Sequence, residues 1–144
     1  VTQTPDPLAQ DPLGSLVAAL APNREGSTPP PAAAWQRFAR KHLRPDETVL
    51  LALEGEGWTW WDTLLLVTDQ RVVRIRQLPF QPWRVKQQAA PADMLGAEFR
   101  PWLISGVVVI RVRGARSIRV MSETEEVSRE FVDRVNALVS GGRG

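Results

Sequence analysis

Leu64-Leu65-Leu66-Val67-Thr68-Asp69-Gln70-Arg71-Val72-Val73 decides the fold of this chain. Two runs of strand-forming residues flank a polar Thr68-Asp69-Gln70 turn, which is the signature of a β-hairpin. Outward from it, β-branched and aromatic residues recur with a period of two, and turn residues punctuate them. This predicts short strands over 48–54, 59–67, 71–77, 83–87, 97–99, 105–113 and 117–121, with Gly114-Ala115-Arg116 joining the last two. Strands of this length and spacing point to an antiparallel barrel or sandwich rather than a parallel sheet.

A helix follows the last strand. Ser122 and Glu125 have capping-box spacing, Val127, Phe131, Val135 and Leu138 mark one face, and Gly141-Gly142 ends it in a glycine-rich tail, 141–144. Glu123, Glu125 and Glu126 fall where the helix dipole favours negative charge. Before the strands, Trp35, Phe38, Ala39, His42 and Leu43 recur at helical spacing among Arg37, Arg40, Lys41 and Arg44. The segment 32–44 is thus a basic amphipathic helix. Its short apolar stripe favours docking of Trp35 and Phe38 on the main domain over a membrane-surface role.

Residues 1–31 carry seven prolines and read as a flexible segment. Asp11-Pro12 can start a short helix within it that ends by Pro22. The expected organisation is a proline-rich segment, a basic helix, and one β-rich domain over 45–140 capped by its C-terminal helix.

Two motifs resemble those of bacterial pleckstrin-homology-like (PH-like) domains. Leu43-Arg44-Pro45-Asp46-Glu47-Thr48-Val49-Leu50 is similar to their L-x-P-x-E-x-V-L opening, and Thr68-Asp69-Gln70-Arg71 to their T-D-x-R turn. The resemblance spans residues 43–140 and implies a mainly β (α+β) fold: a partly open antiparallel barrel of about seven strands capped by a C-terminal α-helix, here with an N-terminal helical extension. In eukaryotic relatives of the fold a basic loop between the first two strands binds phosphoinositides. Here that loop is Gly55-Glu56-Gly57-Trp58-Thr59, flanked by Glu54 and Asp62, and its acidic side chains would repel phosphate.

With no cysteine and one histidine, His42, the chain offers no disulfide, no thiolate and no obvious metal site. It shows no nucleophile elbow and no phosphate-binding glycine loop. No catalytic residue, cofactor or metal is expected, and the chain reads as a non-enzyme. Asp62 and Asp69 suit turns better than catalysis. The lack of cysteine suits a reducing cytoplasm. No apolar run reaches the roughly 18 residues of a membrane span.

Charge is the remaining clue. Lys and Arg total 18 against 16 acidic residues, but the signs are segregated. Residues 46–69 hold six acids (Asp46, Glu47, Glu54, Glu56, Asp62, Asp69) and no base, whereas 71–119 hold ten bases against Asp93 and Glu98. Arg74, Arg76, Arg84, Lys86, Arg111, Arg113 and Arg119 alternate with apolar residues, so strand geometry assigns the apolar set to the interior and the basic set to one exterior face. That face suits an anionic partner. Trp58, Trp60 and Trp61, with Trp35, form a second candidate contact set, of the kind that packs cores or anchors interfaces. Trp83 alternates with Arg84, so aromatics and bases occupy separate faces, and this argues against nucleic acid.

The expected function is an interaction module that binds a protein partner or self-associates, for instance by docking the acidic first hairpin on a second copy's basic face. Peripheral binding to anionic lipid through the Arg-rich face and the basic helix is the alternative.

Overall fold

A computed structural model describes residues 12–20, 32–55, 62–77, 83–102, 105–122 and 125–141. Two helices, α1 (Pro12–Leu20) and α2 (Ala32–His42), precede the strands β1 (Val49–Glu54), β2 (Asp62–Thr68), β3 (Val72–Gln77) and β4 (Arg84–Ala89). A 3-10 turn (Pro91–Asp93) leads to β5 (Met94–Trp102), β6 (Ser105–Val112) and β7 (Ile118–Ser122), and α3 (Glu125–Gly141) closes the sequence of elements. The strands form two antiparallel sheets, β1-β2-β3-β4 and β5-β6-β7. The fold is therefore mainly β, a partly open two-sheet barrel with a C-terminal helix, as expected. Pro12 opens α1 at the place where its missing N–H and fixed φ are tolerated.

Alternation along the strands fills two cores. Leu51, Leu53, Leu65, Val67 and Val72 meet Val108, Ile110, Ile118 and Val120 between the sheets, together with Phe131 and Val135 of α3. The other face of the four-stranded sheet presents Val49, Ala52, Leu64, Leu66, Val73 and Ile75 to Leu16 of α1, to Phe38 and Ala39 of α2 and to Leu43 just after it. Strand β2 is thus buried on both faces, which accounts for its unbroken Leu64-Leu65-Leu66-Val67 run. A bulge at Leu50 adds one residue between Val49 and Leu51 and lets β1 serve both cores.

The proline-rich segment expected over 1–31 contains α1, and α1 is part of the packed domain. Leu16 is fully buried, and Ser15 Oγ accepts a hydrogen bond from the Val49 amide at 2.9 Å. The rest of that segment lies outside the described residues, as do Trp58, Trp60, Trp61, most of the β1–β2 loop, the Gly-rich tail beyond Gly141 and the side chains of Trp35 and Ser122. On α3, Phe131 and Val135 are buried and Val127 partly so. Leu138 is exposed, and Ser128 and Val132 are buried in addition to the expected residues.

One polar joint locks the hairpin to the residues before β1. Glu47 is fully buried, and its carboxylate accepts hydrogen bonds from Arg71 Nε (2.9 Å), Arg71 Nη2 (3.1 Å), the Thr68 hydroxyl (2.7 Å) and the Arg44 amide (3.1 Å). Arg71 also donates to the His42 carbonyl at the end of α2 and to Gln88 of β4. Asp69 accepts from the Thr48 amide at 2.9 Å, so its role is to hold the turn. His42 is half-buried, tilts against Phe38 at 5.1 Å, and supplies this carbonyl.

Burial alone would raise the Glu47 pKa. The hydrogen bonds from Arg71, Thr68 and the Arg44 amide, and the Arg71 charge, outweigh it and hold the pKa below its ordinary 4.5. A depressed carboxylate stabilises the folded state fully above pH 4.5 and loses that contribution as pH falls through its folded value.

Glu47→Gln should therefore cost about 3–5 kcal/mol in denaturant unfolding, because it strands a buried guanidinium. Glu47→Leu combined with Arg71→Met should cost less than either single change. The acid-induced loss of stability below pH 4.5 should be shallower in that double variant than in the wild type. Parallel acid profiles would show that the joint does not govern acid stability.

Candidate functional site: an open cationic seam

Two sheets leave two seams. One lies between the edge strands β1 and β5, and α3 packs against both of them. Asn136 fixes that contact, as its Oδ1 accepts from the Ala97 amide (2.8 Å) and its Nδ2 donates to the Ala97 carbonyl (3.0 Å). An edge strand that would otherwise expose its hydrogen-bonding groups is thereby satisfied by a helix side chain.

The other seam, between β4 and β7, is open. A cleft of about 690 Å³ lies there, lined by Arg74, Lys86, Gln87, Arg116, Ser117 and Arg119. Gln87 Nε2 reaches the Ser117 carbonyl at 3.5 Å, a long bond across the gap. Four of the six lining residues are cationic and none is acidic.

Arg74 reaches this cleft through a reversal of the expected facing. In β3, Val73 and Ile75 were assigned to the interior and Arg74 and Arg76 to the outside. Val73 and Ile75 instead face α1 and α2, while Arg74 stands opposite Leu65 on the side that faces the second sheet. The cause is the helical layer, which makes the outer face of this sheet a core. Arg74 Nε is buried and has no hydrogen-bond partner among the described residues. Burial, and then the neighbouring Arg76, press the Arg74 pKa downward, yet a guanidinium keeps its charge in proteins. A buried donor left unpaired costs about 1–3 kcal/mol.

The other residues of the predicted basic face do not join Arg74. In β6 and β7 the expected facing holds. Val108, Ile110, Val112, Ile118 and Val120 are inside, and Arg111, Arg113 and Arg119 are exposed. Arg111 lies 3.9 Å from Glu98, which also binds Arg100 at 2.7 Å. The Arg100 hydrogen bond, with the charges of Arg100, Arg111 and Arg119, holds Glu98 below its ordinary pKa. Arg76 and Arg84 pair across β3 and β4 near the strand ends. The seven predicted residues thus divide. Arg74, Lys86 and Arg119 share the seam, Arg111 is partly neutralised on the outer face, and Arg76, Arg84 and Arg113 lie elsewhere.

Arg116 completes the seam and was not predicted, because it sits in the β6–β7 turn, where strand alternation carries no signal. Gly114 takes φ +71° in that turn, which lets the chain reverse. Trp83 packs edge-on against Phe38 at 5.5 Å, on the helical side of the sheet. Among the described residues no aromatic ring lines the seam.

Among the described residues no helix is long and apolar enough to cross a membrane, and no group of three or more His, Cys, Asp or Glu could hold a metal ion. Neither the known family models nor the curated proteins provide a match to this chain.

If Arg74 is held for binding at the cost of stability, Arg74→Met should raise the unfolding free energy by on the order of 1 kcal/mol, as the unpaired donor disappears. A clear loss of stability would mean that Arg74 supports the fold.

Proposed function

We propose that this chain is a non-catalytic PH-like interaction module that binds a protein partner by gripping an acidic segment in the β4–β7 seam. The observation that carries this reading is the gathering of Arg74, Lys86, Arg116 and Arg119 around one cleft, with no carboxylate among its described lining residues. Like charges gathered there repel one another, and an anionic guest relieves that repulsion. The lining offers hydrogen-bond donors and no histidine or carboxylate to act as a general base. It also lacks a ring on which a base could stack, which disfavours nucleic acid.

The PH-like assignment draws support from the joint at Glu47. The two motifs that carry the resemblance meet there, with Glu47 of one bonded to Thr68 and Arg71 of the other.

Two observations bear on the remaining readings. Phe38 and Ala39 of α2, and Leu43 just after it, are buried against the sheet and so are not available to enter a lipid surface. For head-to-tail self-association, the acidic block is already partly used, since Glu47 is buried in its ion pair and Asp69 binds the Thr48 amide.

A labelled Glu-rich peptide, followed by fluorescence anisotropy, should bind at low salt and weaken toward physiological salt. Lys86→Glu combined with Arg116→Glu should abolish the binding, whereas Arg37→Glu with Arg40→Glu on α2 should leave it intact. Binding to anionic vesicles but not to the peptide would transfer the function to the lipid reading.

A further inference from the structure

The four seam cations outnumber what one carboxylate can neutralise. A carboxylate brings one charge and two acceptor oxygens. A phosphate monoester brings about −1.5 to −2 charges at pH 7 and three acceptor oxygens. Arg74 adds a requirement of depth, because its Nε is buried and has no partner among the described residues, so its acceptor must enter the cleft rather than rest on the rim. A guanidinium offers a planar fork that matches phosphoryl oxygens in paired hydrogen bonds.

We infer that the seam takes a phosphorylated side chain on an extended protein segment, with the phosphoryl group seated on Arg74 and flanked by Lys86, Arg116 and Arg119. This inference rests on the reading of the seam as the binding site. The walls favour a peptide over a membrane headgroup. Lys86 and Gln87 come from β4 and Arg119 from β7, two edge strands whose outer edges can hydrogen-bond to an extended chain. Among the described lining residues Gln87 and Ser117 are the uncharged ones, and none is an apolar side chain that could enter a bilayer. The single 3.5 Å contact from Gln87 to Ser117 is a bar that an incoming segment can displace.

The test uses a degenerate phosphoserine peptide library and matched libraries with Glu or Ser at that position, titrated against the full chain. The phosphoserine library should bind about tenfold more tightly than the Glu library, the gain of a nearly doubled charge and a third acceptor oxygen over a carboxylate. Arg74→Lys keeps the charge but loses the fork, and should bring the phosphoserine library down to the level of the Glu library.

Equal binding of the phosphoserine and Glu libraries would overturn this inference and leave the acidic-segment reading standing. Binding of neither would overturn both. Vesicles carrying phosphatidate, a lipid phosphate monoester, are the third arm, and binding to them without binding to the phosphopeptides would overturn the inference in favour of a membrane. If Arg74→Lys melts the domain, Arg116→Ala in the exposed turn should still shrink the preference about threefold, the loss of one flanking charge-assisted contact. A full preference in that variant would count against the assignment.

Discussion

The buried ion pair between Glu47 and Arg71 is the constraint on which the architecture turns. A carboxylate with no exposure to water is tolerable only when its lone pairs are filled, and four donors fill them here. Those donors come from the stretch after α2 and from the β2–β3 turn, and Arg71 also reaches the last carbonyl of α2 and Gln88 of β4. Hydrophobic contacts alone would let α2 slide on the sheet, since leucine and valine faces are not directional. The joint fixes where α2 ends, and so which face of the four-stranded sheet is covered.

That covering has a consequence at the far side of the molecule. Once α1 and α2 bury Val73 and Ile75, the intervening Arg74 must face the second sheet. The β1–β5 seam is covered by α3, with Asn136 satisfying the edge of β5. Among the described residues no helix covers the β4–β7 seam, and the guanidinium that the helices forced inward opens onto it. The donor left unpaired there is destabilising by itself. Under the proposed function that donor is the recognition element of the cleft, where stability is exchanged for binding.

Much of the fold was legible in the sequence because its signals are local. The Thr68-Asp69-Gln70 turn, the period-two strands and the amphipathic stripe of α3 each need only neighbouring residues. The packing of α1 was not legible, because a short Ala- and Leu-rich helix between prolines acquires its burial only when Val49 and Leu66 are brought beneath it. The candidate site was half legible. Lys86 and Arg119 followed from alternation, and Arg74 was singled out but assigned to the wrong face. Alternation states which residues share a face and cannot state which face is covered. Arg116 and Asn136 carried no periodic signal. The first acts from a turn, and the second from a helix position that matters only because β5 passes beside it.

Amide chemical-shift perturbation on the full chain, titrated with the phosphoserine library, tests the central claim most directly. A ligand held in the seam should shift Arg74, Lys86, Gln87, Arg116, Ser117 and Arg119 and leave Arg37, Arg40 and Arg111 unmoved. Shifts centred on α2 or on the outer face around Glu98 and Arg111, with the seam silent, would contradict it.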